Sequence, residues 1–92
     1  MNRLENKVAI ITGAAGGMGA AEAKLFANEG AKIIITDVQE EKLKAVAGEI
    51  KANGGVVEYV VHDVSSEDSW KKVAEKAFSA FGKIDILVNN AG

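Results

Sequence analysis

Short apolar runs alternate with amphipathic stretches along the 92 residues of the chain. Four runs are rich in β-branched and aliphatic residues and have the length of buried strands. They cover Val8–Thr12, Lys32–Asp37, Val56–Val61 and residues 84–88. Three stretches between them repeat apolar residues at helical spacing, over residues 17–29, Glu40–Ala52 and residues 66–81. The pattern predicts seven elements in the order βαβαβαβ.

Each predicted helix groups its apolar residues near one face and is followed by glycine. The grouped residues are Met18, Ala21, Leu25 and Phe26 in the first helix, Leu43, Val46, Ala47 and Ile50 in the second, and Trp70, Val73, Ala74, Ala77 and Phe81 in the third. Gly30, Gly54 and Gly82 stand at the three ends. For the third helix we expect Ser65 to be the N-cap. Asp68 lies three residues later, where a capping box usually has Glu or Gln.

Strict alternation of strands and helices is typical of an α/β protein with a parallel sheet. Right-handed crossovers in a doubly wound sheet give the strand order 3-2-1-4, with two helices on one face and one on the other. The sequence therefore predicts a single three-layer, Rossmann-like half domain over residues 1–92. With only one helix on the second face, we expect apolar side chains of strands one to three to remain open there.

Composition excludes several classes of function. The net charge is −2, no lysine or arginine run occurs, and the chain has no cysteine. Nucleic acid and anionic membranes are therefore poor candidate partners, and neither a disulfide scaffold nor a thiolate metal site is possible. No apolar run is long enough for a secretory signal or a membrane span, so we expect a cytoplasmic protein.

A glycine-rich turn follows the first strand directly. Gly13, Gly16, Gly17 and Gly19 lie between Thr12 and the body of the first helix. A strand, a glycine turn and a helix start together can bind a phosphate, because the turn brings the backbone close and the helix N-terminus offers free N–H groups. The alternative is an ordinary tight turn between a strand and a helix.

Asp37 ends the second strand, 18 residues after Gly19. A carboxylate at this place can accept hydrogen bonds from both hydroxyls of an adenosine ribose and would repel a 2′-phosphate. The glycine turn also contains no lysine or arginine that could pair with such a phosphate. Both features favour NAD over NADP. The alternative is that Asp37 only caps the next helix.

The remaining polar candidates are weaker. His62 has no evident partner in the sequence, and we expect a surface or strand-end histidine rather than a catalytic one. No histidines, cysteines or paired carboxylates occur at converging spacing, so no metal site is predicted. Tyr59 lies inside the third strand and is most simply a core or sheet-surface residue.

Four motifs together resemble the short-chain dehydrogenase/reductase family, with bacterial alcohol, hydroxysteroid and 3-oxoacyl-carrier-protein reductases as the most similar members. They are TGxxxGxG over residues 12–19, the aspartate after strand two, Asp63-Val64 after strand three, and NNAG over residues 89–92. The resemblance implies that Asp63 and Val64 contact adenine, and that NNAG steadies the sheet and lines the adenine-ribose side of the cleft. The implied cofactor-binding residues are Thr12, Gly13, Gly16, Gly17, Met18, Gly19, Asp37, Val38, Asp63, Val64, Asn89, Asn90, Ala91 and Gly92.

The chain departs from the family in its catalytic residues. Members use a downstream serine and a Tyr-x-x-x-Lys pair, in which the lysine lowers the pKa of the tyrosine. Here the residue four after the sole tyrosine, Tyr59, is Asp63. We therefore expect the first third of a family member, without catalysis of its own.

Three hypotheses follow from that expectation. The first is an NAD-binding fragment that holds the adenosine and pyrophosphate. The second is a self-associating structural half-fold without significant ligand binding. The third is that the chain is the truncated record of a complete NAD-dependent oxidoreductase. For the first two, we expect a homodimer, through the free edge of strand four, the uncovered sheet face, or exchange of the last helix and strand.

Overall fold

The computed structural model describes residues 3–63 and 65–90. Within them lie seven elements in the predicted order, which are β1 (Val8–Thr12), α1 (Gly17–Asn28), β2 (Lys32–Asp37), α2 (Glu40–Ala52), β3 (Val56–Val61), α3 (Glu67–Phe81) and β4 (Ile86–Asn89). Three of the predicted site residues, Val64, Ala91 and Gly92, lie outside the described residues.

The four strands form one parallel sheet in the order β3-β2-β1-β4. This confirms the Rossmann-like half domain and its strand order. In the register of the sheet, Thr12 of β1 lies between Thr36 of β2 and Asn89 of β4. The carboxyl ends of these three strands therefore meet at one edge, where ligands bind in open α/β sheets.

Both faces of the central strands are covered. Ile11 and Ile35 pack in the core beneath α1 and α2, whereas Ile10 and Ile34 pack on the other face against Val73 of α3. The prediction of apolar side chains left open on that second face is wrong for β1 and β2, whose isoleucines there are at most 4% exposed. A single helix is sufficient because only these two central strands need cover on both faces.

The inward face of α1 differs from the predicted one. Met18 and Leu25 are 72% and 56% exposed, while Gly19, Ala20 and Ala23 form the buried face. The reason is steric, since α1 lies so close to β1 that only small residues fit between them. The helix also ends at Asn28, one residue earlier than predicted. The predicted face of α2 is confirmed, with Leu43, Val46, Ala47 and Ile50 all buried.

The start of α3 is shifted by one residue. Ser66 is the N-cap, and its Oγ accepts a hydrogen bond from the Ser69 N–H at 3.3 Å. Ser65, the predicted cap, instead donates its N–H and its hydroxyl to Asp63 Oδ1, at 2.9 and 2.7 Å. Both serines offer a suitable hydroxyl, and the carboxylate of Asp63 binds the first.

The rest of α3 follows the pattern. Val73 and Ala77 are fully buried, the other three predicted residues of that face are half-buried, and Gly82 ends the helix with a φ of 81°. Strand β4 begins at Ile86, two residues later than predicted. Just before it, Asp85 exchanges two hydrogen bonds with Val8 at the start of β1. The Asp85 N–H donates to Val8 O at 2.8 Å, and Asp85 Oδ2 accepts from Val8 N–H at 2.8 Å.

Helix length and polarity bear on membrane insertion. Within residues 3–63 and 65–90, every helix is too short or too polar to cross a bilayer.

Candidate functional site

The glycine turn is anchored to the neighbouring strand. Gly13 begins it with a φ of 65°, a left-handed conformation that favours glycine, and the Ala14 N–H donates to Thr36 O at 3.0 Å. A Cβ on Gly19 would lie 2.1 Å from Gly13 O. The absence of that carbon is what lets α1 start directly against the end of β1.

The first turn of α1 is open to solvent and uncapped. Gly16 is its N-cap in an extended conformation, without a side-chain cap bond, and the first turn contains no acidic residue. A Cβ on Gly16 or Gly17 would have no described atom within 4 Å. Free backbone N–H groups at a positive helix end, facing open space, fit an anion such as a diphosphate.

A cleft of about 460 Å³ adjoins this turn on the side of α2. Ala15, Gly16 and Gly17 form one wall, and Lys42 and Val46 of α2 are part of the other. One wall of the cleft is therefore the backbone of the glycine turn, and the other wall includes the side chain of Lys42.

Asp37 joins the glycine turn to the start of α2. Its Oδ2 accepts from the Ala15 N–H, and its Oδ1 accepts from the Gln39 N–H, both at 3.1 Å. The alternative interpretation was that Asp37 only caps the next helix. Its side chain also binds the glycine turn, so that interpretation is incomplete. A carboxylate has about four acceptor positions, so each oxygen can also accept a further donor. Val38 beside it is exposed.

Thr12 fastens the end of β4 to the end of β1. Its hydroxyl donates to Asn89 Oδ1 at 2.9 Å and accepts from the Asn90 N–H at 3.1 Å. The residue is fully buried, so its side chain acts here by holding the two asparagines. Direct contact between Thr12 and a cofactor stays a prediction.

Asn90 has a further partner that sequence reasoning missed. Its Nδ2 donates to Glu22 Oε1 of α1 at 2.6 Å. The two residues are 68 positions apart, and no local pattern marks Glu22, because the contact exists only once β4 lies beside β1.

The end of β3 lies next to Asp37. The His62 N–H donates to Asp37 O at 3.0 Å, and Asp63 follows as an exposed carboxylate. The hydrogen bonds from Ser65 hold the pKa of Asp63 below its ordinary value. Asp63 is therefore an anion at neutral pH, positioned beside the predicted ribose-binding residue. Its contact with adenine stays a prediction.

His62 is not the surface histidine that was one of the two expectations. It does lie at a strand end, but it is only 2% exposed. Its Nδ1 lies 3.1 Å from Thr36 Oγ1, and its ring contacts Trp70 edge-on with centroids 4.2 Å apart. Burial lowers the pKa of His62, an effect that Asp63 partly opposes. The neutral imidazole thus serves as part of the core between β3 and α3.

The described part of the chain shows neither a metal site nor a catalytic setting for Tyr59. No group of three or more histidine, cysteine or acidic side chains converges as a metal site would require. Tyr59 packs half-buried against the larger core cluster, in agreement with its prediction as a core or sheet residue.

Comparison with known proteins agrees with this geometry. A sequence model of the family described as short chain dehydrogenase matches residues 7–92. An uncharacterized oxidoreductase of Bacillus subtilis, YxbG, is 51% identical over 92 residues, which are 100% of this chain and 34% of the relative. The chain thus spans about a third of the length of the curated relatives it matches.

Solved structures give the same result. A hydroxysteroid dehydrogenase from Escherichia coli superimposes with a TM-score of 0.94 at 42% identity, covering 98% of this chain and 38% of that one. A metagenomic short-chain oxidoreductase in complex with NADP gives a TM-score of 0.90 at 42% identity, covering 98% and 41%. The sheet order, the glycine turn and these similarities lead to one assignment: the chain belongs to the short-chain dehydrogenase/reductase family.

Proposed function

We propose that the chain binds the adenosine diphosphate part of a nicotinamide dinucleotide, with NAD preferred over NADP. The observation that carries this proposal is the position of Asp37. Its carboxylate is fixed to the open glycine turn through Ala15, at 3.1 Å, so a ribose acceptor and a phosphate-binding turn are held together as one unit.

The residues present suit a dinucleotide. The uncapped first turn of α1 supplies backbone donors for the diphosphate, and the open space in front of Gly16 and Gly17 leaves room for it. Asp37 would accept from the ribose hydroxyls, and Asp63 would lie near the adenine. A nicotinamide cofactor, when bound, supplies hydride chemistry.

The preference for NAD rests on charge. A 2′-phosphate would lie against the Asp37 carboxylate, and no lysine or arginine occurs over residues 12–19 to offset the repulsion. Since a related structure contains NADP, family membership alone leaves both cofactors open. The charge of Asp37 is what favours NAD, and it would act against the opposite charge of Lys42, which lines the cleft beside the turn.

Titration calorimetry with NAD, NADP and AMP tests the proposal. Because the residues proposed here bind the adenosine diphosphate half of the cofactor, we expect weak binding of NAD, about −4 to −6 kcal/mol, which corresponds to a Kd between roughly 1 mM and 40 μM. AMP should bind more weakly, and NADP more weakly than NAD. No heat with millimolar NAD would refute the binding site, and equal affinity for NADP would refute the preference.

The relatives of this chain are longer and include oxidoreductases. We therefore propose that a longer protein containing this chain would be an NAD-dependent oxidoreductase. The catalytic serine and the Tyr-x-x-x-Lys pair that the family resemblance implies do not occur among these 92 residues. We therefore expect no turnover when the chain is mixed with NADH and a simple ketone. Oxidation of NADH above the blank rate would contradict this expectation.

Self-association is a second candidate, alone or with nucleotide binding. Strand β4 is the last strand in the sheet order, so one of its edges has no neighbour among the described residues. Leu87 on it is 55% exposed. An unpaired apolar edge favours pairing with another strand, and we propose a homodimer in which two β4 edges pair. Exchange of α3 and β4 between copies is the alternative geometry.

Sedimentation equilibrium at micromolar concentration measures this association. We expect a dimer that Leu87→Lys converts to a monomer, because charged edge residues oppose strand pairing. Val56→Lys is the matched control, since Val56 is also exposed but lies on β3 at the opposite edge. A monomeric wild-type chain, or equal effects of the two variants, would overturn the pairing of β4.

A further inference from the structure

Glu22 forms a polar contact between α1 and the end of β4. It lies in the second turn of α1 and is half-buried. Its Oε1 accepts a hydrogen bond from Asn90 Nδ2 at 2.6 Å. The amide nitrogen of Asn90 is thus the donor of this bond, and the Glu22 side chain is the acceptor.

Asn90 is held on its other side by β1. Its backbone N–H donates to Thr12 Oγ1 at 3.1 Å, and its Nδ2 approaches Thr12 O at 3.4 Å. One asparagine thus connects the end of β1, the end of β4 and the helix that follows the glycine turn.

The first two turns of the helix have few interlocking contacts with the sheet. The residues that it turns to the sheet are Gly19, Ala20 and Ala23, which allow a close approach but interlock little with their neighbours. No side chain caps its N-terminus. In the second half of the helix, Phe26 and Ala27 pack against the core and Lys24 pairs with Glu49 of α2. Near the first turn, the hydrogen bond between Glu22 and Asn90 is the directional contact that can fix the rotation and axial position of α1.

We propose that Glu22 is a positioning residue for the nucleotide site. Through Asn90 it holds α1 in the rotation and axial position at which the N–H groups of its first turn face the diphosphate. This inference rests on the proposed function, because it concerns the same site. It adds a residue that does not touch the nucleotide and is not part of the four motifs.

The contact itself can be measured without any ligand. The side-chain amide of Asn90 gives a pair of proton–nitrogen NMR signals, which we expect to shift in Glu22→Gln and more strongly in Glu22→Leu. Glu75→Gln is the matched control, because it removes a charge from an exposed position on α3. Asn90 side-chain signals that move no more in Glu22→Leu than in this control would overturn the proposal.

Affinity for NAD tests the consequence. We expect Glu22→Leu to weaken binding about five- to tenfold, the loss that one hydrogen bond typically causes. Glu22→Gln keeps an acceptor oxygen and should restore most of that affinity, and Glu75→Gln should bind like the wild type. In an Asn90→Ala background, Glu22→Leu should have no further effect, because the residue through which it acts is gone. An undiminished effect in that background would overturn the positioning role.

The two proposals fail in different ways. If the wild-type chain does not bind NAD, the proposed function fails and the positioning role fails with it, even where the NMR signals confirm the contact. If the wild type binds NAD and Glu22→Leu binds equally well, only the positioning role is wrong.

Discussion

The carboxylate of Asp37 accepts a hydrogen bond from the backbone N–H of Ala15 at 3.1 Å, across 22 residues of sequence. The bond joins the end of β2 to the turn that follows β1. A residue predicted to bind a ligand is therefore also part of the scaffold that shapes the site.

This double role allows a test of cofactor choice. Asp37→Asn keeps one oxygen, which can accept from the Ala15 N–H, but it loses the bond from the Gln39 N–H and the negative charge. The turn should therefore persist while repulsion of a 2′-phosphate disappears. We expect the ratio of NAD to NADP affinity to fall about tenfold or more, since one charge contact is worth on the order of 1.4 kcal/mol or more. Calorimetry with both nucleotides measures it. An unchanged ratio would show that the charge of Asp37 does not select the cofactor.

The close approach of α1 to β1 predicts a large effect of one methyl group. Gly19→Ala places a Cβ 2.1 Å from Gly13 O, so α1 has to move, and we expect a loss of about 1–3 kcal/mol in the free energy of unfolding. Affinity for NAD should fall with it.

Gly48→Ala is the control for that substitution. Gly48 lies in α2 and its Cβ would meet nothing within 4 Å, so we expect a gain of about 0.5–1 kcal/mol from helix propensity. Urea denaturation measures both variants. Similar effects of the two substitutions would contradict a tight contact at Gly19.

The hydroxyl of Thr12 should stabilise the end of β4. Thr12→Val keeps the shape but leaves the Asn90 N–H and Asn89 Oδ1 without their partner, which we expect to cost about 1–3 kcal/mol of stability. Thr12→Ser keeps the hydroxyl and serves as the comparison. In thermal unfolding, Thr12→Val should have a lower melting temperature than Thr12→Ser. The reverse order would show that the methyl group of Thr12 contributes more to stability than its hydrogen bonds.

Burial of His62 predicts a dependence of stability on pH. Its pKa is lower in the folded protein than the ordinary 6.5, so the unfolded chain binds more protons between the two values. The stabilisation is complete above pH 6.5 and is lost as the pH falls through the folded pKa. The pKa values of Asp63 and Asp85 are also lowered, but from 3.8, so their stabilisation is lost only in more acidic solution.

Urea denaturation between pH 7 and pH 5 isolates the contribution of His62. We expect the wild type to lose stability over this range and His62→Gln to lose less, whatever the absolute stability of the variant. Equal slopes for the two proteins would show that His62 does not titrate differently on folding.

Periodicity was sufficient to predict the element order and the sheet, because each strand and α2 carry a clear apolar pattern. It was insufficient for α1, where Met18 and Leu25 are larger and more apolar than Ala20 and Ala23, yet the smaller residues are buried. Sequence patterns weigh hydrophobicity, whereas the space between α1 and β1 is set by backbone contact.

The position of a candidate residue could be predicted where a strand end and a motif coincide, as at Asp37, whereas its contact with a ribose stays a prediction. Side-chain partners could not be predicted, because they depend on which strands are neighbours. His62 is buried because Thr36 and Trp70 surround it, and Glu22 takes part because β4 brings Asn90 to it. Neither the burial of His62 nor the contact of Glu22 can be predicted from the spacing of residues along the sequence.

The strand order also determines when the site can form during synthesis. β1 is made before the other three strands, but the partners of its Thr12 hydroxyl are Asn89 and Asn90, 77 and 78 residues later. Until β4 has been made, the glycine turn and Asp37 can be in place while one side of β1 has no neighbouring strand. Throughout the synthesis of residues 13–85, one edge of β1 therefore has no partner strand in the chain, and such an edge can pair wrongly with other chains.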